Sequence, residues 1–199
     1  AKTLARKLLL GGAHWTGAAA LAQPFLGNSG AILMLHRVSA KNTSPLGLNS
    51  HLAITPHFLD RLLADLRRHG YALLSLDELL EALAANKAAR AVAITADDGW
   101  LDNLTEGLPV FEAHDVPFTV YIAPGLASGE VVPWWEAIEE LAVRRDVIYL
   151  PTDQGMIALD CADTAGKRAA VRRLTDHLCE EVAEDEQQTV LRRIGADLS

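Results

Sequence analysis

Ala91-Val92-Ala93-Ile94-Thr95-Ala96-Asp97-Asp98-Gly99-Trp100 begins as a short apolar run with β-branched residues and breaks into two carboxylates and a glycine. The run predicts a strand buried on both faces, as in parallel sheets. The break predicts the end of that strand and the start of a loop. In parallel α/β proteins, loops at the C-terminal ends of strands carry the chemistry. Two carboxylates side by side repel unless a metal ion or a shared proton offsets the charge. Asp-Asp-Gly also suits a plain polar turn, because Asp and Gly both favour turns. The decapeptide alone leaves both readings open.

Residues 31–35 (Ala-Ile-Leu-Met-Leu) read as another buried strand, ending in His36-Arg37-Val38. This repeats, more weakly, the pattern of polar residues at a strand end. His36 by itself is either a core histidine or a site residue. Residues 39–54 are rich in Lys, Asn, Ser, Pro and Gly and read as a long surface loop. Thr55-Pro56 opens a helix, with Thr as N-cap and Pro at the first helical position. Phe58, Leu59, Leu62, Leu63 and Leu66 recur at helical spacing, and Gly70 stops the helix. Residues 71–74 form a short strand, and Ser75-Leu76-Asp77-Glu78 is a capping box for a helix through Leu83.

Beyond Trp100, residues 103–114 read as a helix and 118–122 as a strand. Pro133-Trp134-Trp135-Glu136 starts a helix through Leu141. Residues 147–150 and 156–159 flank Pro151-Thr152-Asp153-Gln154-Gly155, a β-hairpin signature. Two charged helices follow, over about 164–181 and 185–197, the first with Thr164 as N-cap. Strand and helix alternating at this spacing predict a largely parallel sheet with crossover helices. An antiparallel excursion and two helices come after it.

At 199 residues, half of them hydrophobic, the chain can build one substantial core and one domain. A formal charge of −8 argues against nucleic acid or an anionic membrane as the main partner. Cys161 and Cys179 lack Cys-x-x-Cys spacing and read as small buried apolar residues. Residues 3–22, rich in Ala and Leu, predict one or two short helices within an N-terminal segment 1–30. Lys2, Arg6 and Lys7 ahead of Leu8-Leu9-Leu10 faintly resemble a targeting segment, but His14 and Trp15 interrupt the run. No apolar stretch approaches the roughly 18 residues of a transmembrane helix. The expectation is a soluble, cytoplasmic chain. Dinucleotide- and phosphate-binding glycine loops and a nucleophile elbow are absent.

With these elements placed, Thr95-Ala96-Asp97-Asp98-Gly99-Trp100 resembles the first motif of the polysaccharide deacetylase family, carbohydrate esterase family 4. Met34-Leu35-His36-Arg37-Val38, Thr55-Pro56-His57-Phe58 and the strand Val116-Pro117-Phe118-Thr119-Val120-Tyr121-Ile122 are similar to its neighbouring stretches. The segment from about 133 to 199 resembles an insertion in a bacterial subgroup often labelled chitooligosaccharide deacetylase. The resemblance implies an α/β fold: the N-terminal portion of a distorted (β/α) barrel, incomplete over 31–199, plus a β-hairpin and two-helix insertion. It implies metal-dependent removal of N-acetyl groups from an amino-sugar polymer or oligomer. Asp97 would be the general base and Asp98 a ligand of a divalent metal, zinc first among candidates. His36, Trp100, Trp134 and Trp135 are possible site-lining residues; packing under the insertion is the alternative for the two last.

The family's second motif, which supplies two histidine ligands four apart, has no match. The histidines stand at 14, 36, 51, 57, 69, 114 and 177. One carboxylate cannot hold a catalytic zinc, which normally has three protein ligands. The expectation is therefore a truncated chain, inactive alone, that holds no metal tightly and is completed by a missing C-terminal part or self-association. Two other readings stand beside it. One is a non-catalytic binding or interaction module on the same scaffold. The other is a different metal enzyme that recruits His36 beside Asp98.

Overall fold

The computed structural model describes residues 30–195, so the helical segment expected over 3–22 lies outside the described residues. The chain enters β1 (Ala31–Leu35), β2 (Arg37–Val38) and, after a loop, β3 (Ala53–Ile54), which pairs in parallel with β2. Helix α1 (Pro56–Arg68), β4 (Ala72–Leu74), α2 (Leu76–Ala84) and β5 (Ala91–Ala96) follow. Thr55 caps α1, its hydroxyl accepting from the Phe58 amide, and the Ser75–Glu78 capping box starts α2.

β5 is the centre of a four-stranded parallel sheet. β1 pairs along one edge, from Ala31↔Val92 to Leu35↔Ala96. β4 pairs beside Ala91–Ala93, and β6 (Thr119–Val120) beside Thr95 and Ala96. All six β5 residues are buried, as an apolar run without alternation predicts. Val92 and Ile94 pack with Leu59 and Leu63 of α1 and with Phe111, whose ring stacks on Phe118 at 4.1 Å. Ala91 and Ala93, on the opposite face, pack against Leu79 of α2.

A second core lies under the C-terminal half. Helix α3 (Leu108–Ala113), entered through a π-helical turn at Asn103–Gly107, and the short α4 (Pro124–Ala127) lead into α5 (Trp134–Arg144). The antiparallel hairpin β7 (Val147–Thr152) and β8 (Gly155–Asp160) follows, with register Val147↔Asp160 to Thr152↔Gly155. Helices α6 (Thr164–Asp176) and α7 (Gln187–Ile194) complete it. Ile138, Leu141, Ile148, Leu150, Leu174, Leu178 and Leu191 form this core together with Leu46 from the 39–52 loop.

Several expectations need correction. β1 is buried on one face only: Leu33 and Leu35 pack against the first core, whereas Ile32 and Met34, on the opposite face, are 52% and 59% exposed. The strand expected over 118–122 is reduced to Thr119–Val120, although the Tyr121 amide still donates to Ala96 O. The expected helix over 164–181 is α-helical only to Asp176 and closes in a π-helical turn at His177–Glu181. Asp163, not Thr164, caps it, accepting from the Gly166 amide at 2.7 Å. Helix α7 begins at Gln187 and closes at Gly195, whose φ of +76° is the left-handed C-cap geometry. Cys161 is buried but Cys179 is exposed.

The 39–54 loop is not simply a surface loop either. The Glu139 carboxylate, 2% exposed on α5, accepts from the Ser44 hydroxyl, the Leu46 amide and Asn49 Nδ2 at 2.7–2.8 Å. A buried carboxylate is tolerated only when its lone pairs are met, and these donors meet them. The loop is thereby pinned across α5. Among the described residues no helix is long and apolar enough to cross a membrane.

Candidate functional site

The end of β5 turns sharply. Asp98 and Gly99 both have positive φ, +71° and +75°. Asp enters the left-handed region at modest cost and Gly at none. At Gly99 a second constraint applies: a Cβ would stand 3.3 Å from the Ile122 side chain. This double turn follows directly on Asp97, whose amide still donates to Leu35 O at the end of β1. Asp97 and Asp98 are thus held where two parallel strands end together.

The strand end of β1 supplies the partner. His36 Nδ1 lies 3.2 Å from Asp98 Oδ2, and Trp100 Nε1 donates to the same oxygen at 3.1 Å. His36 is itself held from behind, its carbonyl accepting from Asn103 Nδ2 at 3.0 Å. The Asp97 side chain has no hydrogen-bond partner among the described residues. The two adjacent carboxylates therefore differ: Asp98 is tied down by two donors, and Asp97 is half-buried and unpartnered among the described residues.

Beneath them lies an ion cluster that sequence reasoning missed. Arg37 Nε and Nη2 each lie 2.8 Å from Asp102 Oδ2, and Nη1 donates to Glu136 Oε1 at 2.8 Å. The guanidinium carbon lies over the Trp100 ring, 4.3 Å from its centroid. Burial works against the Arg37 charge, but Asp102 and Glu136 outweigh it and hold the group above its ordinary range. Burial pushes the Glu136 carboxyl up, and Arg37 offsets only part of that. Asp102 Oδ1 and Asn103 Oδ1 are buried without partners. The available sequence signal was Arg37 itself, next to His36 at a strand end. Glu136 lies 99 positions away, so only folding shows the pair.

A cavity of about 200 Å³ opens beside the turn, lined by Asp98, Gly99, Trp100, Leu101, α4 and Pro133. Trp100 is thus a lining residue, and His36 touches the site through Asp98. Trp134 packs against the second core, and Trp134 and Trp135 meet edge to face at 5.8 Å. Trp135 Nε1 is buried and unpartnered. The structure does not bring these two tryptophans to the lining of the Asp98 cavity.

As a metal centre the donor set is partial. A carboxylate oxygen and an imidazole nitrogen suit zinc, and the His36–Asp98 separation is within the span of a shared ion. A catalytic zinc takes three protein ligands. Among the described residues no cluster of three or more His, Cys, Asp or Glu could hold a metal. The described residues do not by themselves make a complete site.

No protein-family profile matches the chain, and no curated protein matches it. Solved structures similar to parts of it include two deacetylases. The Streptococcus pyogenes deacetylase PplD, in complex with acetate, shares 28% identity over 50% of this chain and 45% of its own, with a TM-score of 0.44. A de-N-acetylase from Aggregatibacter actinomycetemcomitans shares 16% identity over 66% of this chain and 45% of its own, with a TM-score of 0.38. The chain spans about 45% of the length of each.

Proposed function

We propose that this chain carries the strand-end part of a hydrolase centre that removes N-acetyl groups from an amino-sugar polymer or oligomer. The observation that supports this most is the asymmetry of the two carboxylates. Asp98 is oriented by His36 and Trp100, while Asp97 beside it is left unpartnered to take a proton from an attacking water. This is the division of labour that the resemblance of residues 95–100 to the polysaccharide deacetylases implies. A divalent metal, zinc by donor type, belongs to the proposal only with further ligands from outside the described residues.

A second reading has its own support. Asp98 Oδ2 already accepts two hydrogen bonds, which is how a purely structural carboxylate is satisfied. On that reading the chain is a binding module on a deacetylase-like scaffold.

Acetate release from N-acetylglucosamine oligomers by the natural polypeptide carrying this sequence, supplied with zinc, separates the two. The hydrolase reading expects Asp97→Asn to lower release by about 10²-fold or more while zinc content is unchanged. Release indifferent to that substitution overturns it. Oligomer binding without release, unchanged in Asp97→Asn and Asp98→Asn, favours the module.

A further inference from the structure

We infer that the groove between the tip of the β7–β8 hairpin and the C-terminal end of α6 is a binding site for a neutral, hydroxyl-rich ligand of the size of a sugar unit. It is built by elements other than those around Asp98. One wall is the π-helical turn His177–Glu181, which continues α6. Such turns widen the helix locally and are frequent at functional sites. The other wall is the hairpin turn, with Thr152, Asp153 and Gln154. Between them lies a cavity of about 470 Å³.

His177 is the built element of this site. Its side chain is only 8% exposed, and Nδ1 lies 2.7 Å from Glu181 Oε2. Glu181 is fixed in turn by Arg173, whose Nη1 and Nη2 donate to its two oxygens at 2.8 and 3.2 Å. The Glu181 carboxylate engages Nδ1 and fixes the plane of the ring, so that Nε2 is its remaining polar atom. Nε2 has no protein partner among the described residues, nor is it among the fully sealed polar atoms. His177 thus brings a pre-oriented ring with a free polar nitrogen to the lining of the cavity.

The rest of the lining defines the ligand chemistry. The Thr152 hydroxyl is already engaged, donating to Gly155 O at 2.8 Å. The Asp153 carboxylate and the Gln154 amide have no partner among the described residues. With Arg173 and Glu181 neutralising each other, Asp153 leaves the groove slightly negative, which disfavours an anion. Ile157 is the apolar side chain in the lining, too little for a lipid or an aromatic ligand. An open acceptor at Asp153, the free ring nitrogen of His177 and an amide that both donates and accepts match hydroxyl groups, which do both.

The test uses the full chain and observes the His177 imidazole and the Gln154 side-chain amide by NMR. The probes are tetra-N-acetylglucosamine, cellotetraose and inorganic phosphate. Only the choice of the N-acetylated probe rests on the function proposed above. Saturable shifts at both residues with either oligosaccharide are expected, with affinity lowered about tenfold or more in Asp153→Ala/Gln154→Ala. That exposed-turn variant leaves the buried His177 in place. Cellotetraose binding here without the N-acetylated probe sustains this site and counts against an N-acetyl substrate. Shifts confined to His36 and Trp100 overturn this site and leave the Asp98 reading standing. Phosphate as the better ligand, or no shift from either oligosaccharide up to its solubility, also overturns it.

Discussion

Arg37 Cζ sits over the Trp100 ring, 4.3 Å from its centroid, and Trp100 donates through Nε1 to Asp98. The contact joins a surface-facing carboxylate to a cluster held by α5. Arg37 carries Trp100 on one side and anchors to Asp102 and Glu136 on the other. A cation over an indole face contributes about 0.5–2 kcal/mol depending on desolvation, enough to bias the ring's orientation.

Removing that cation leaves two carboxylates facing each other. Arg37→Ala is expected to lower stability by about 2–4 kcal/mol, read from urea unfolding, because breaking a largely buried ion pair strands its partners. Arg37→Lys should recover only part of this loss, since an ammonium cannot bridge Asp102 and Glu136 and lie over the ring as well. An Arg37→Ala variant as stable as the parent would show that the cluster contributes nothing.

Gly99 is constrained by both its φ of +75° and the nearness of Ile122. Gly99→Ala is expected to cost about 1–2 kcal/mol by the same unfolding measurement. Gly129, at a φ of +75° but with open space around it, provides a comparison, and its alanine variant should cost less. Equal losses at the two positions would mean that the Ile122 contact is irrelevant.

Glu139 pins the 39–49 loop across α5. Glu139→Ala leaves the Ser44 hydroxyl and the Leu46 amide without their acceptor, while Asn49 Nδ2 keeps only Trp135 O. A loss of about 2–4 kcal/mol follows from unmet buried polar groups. Amide exchange at Leu46 and Asn49 should accelerate more than exchange within β5. Unchanged protection at Leu46 would contradict the pinning.

Glu181 has a carboxyl held below its ordinary range, first by the Arg173 hydrogen bond and then by His177. A depressed folded-state value means the native state binds this proton less readily than the unfolded chain. The contribution is therefore full above the ordinary value of 4.5 and fades as pH falls through the lower folded value. The stability difference between the parent and Glu181→Gln should shrink on acidification through that window. It should be small, because the pair is exposed and screened. A difference that grows toward acid pH would reverse the sign of this linkage.

Local features were legible from residues alone. The apolar, unalternating run 91–96 became the fully buried β5, Thr55 and Ser75 cap their helices, and the hairpin signature over 151–155 tightened to a two-residue turn at Asp153 and Gln154, with Pro151, Thr152 and Gly155 in the strands. These outcomes depend on neighbours within a few positions, and a sequence displays those directly. The same holds for the carboxylate pair at the end of β5. What folding decided is everything that joins distant positions. His36 reaches Asp98 across 62 residues because β1 pairs in register with β5, so that both strands end together. Arg37 reaches Glu136 across 99 residues, and His177 faces the hairpin tip. The exposure of one face of β1 was hidden for the same reason: an apolar pattern reports what a strand can bury, whereas the elements packed on each face set what it does bury.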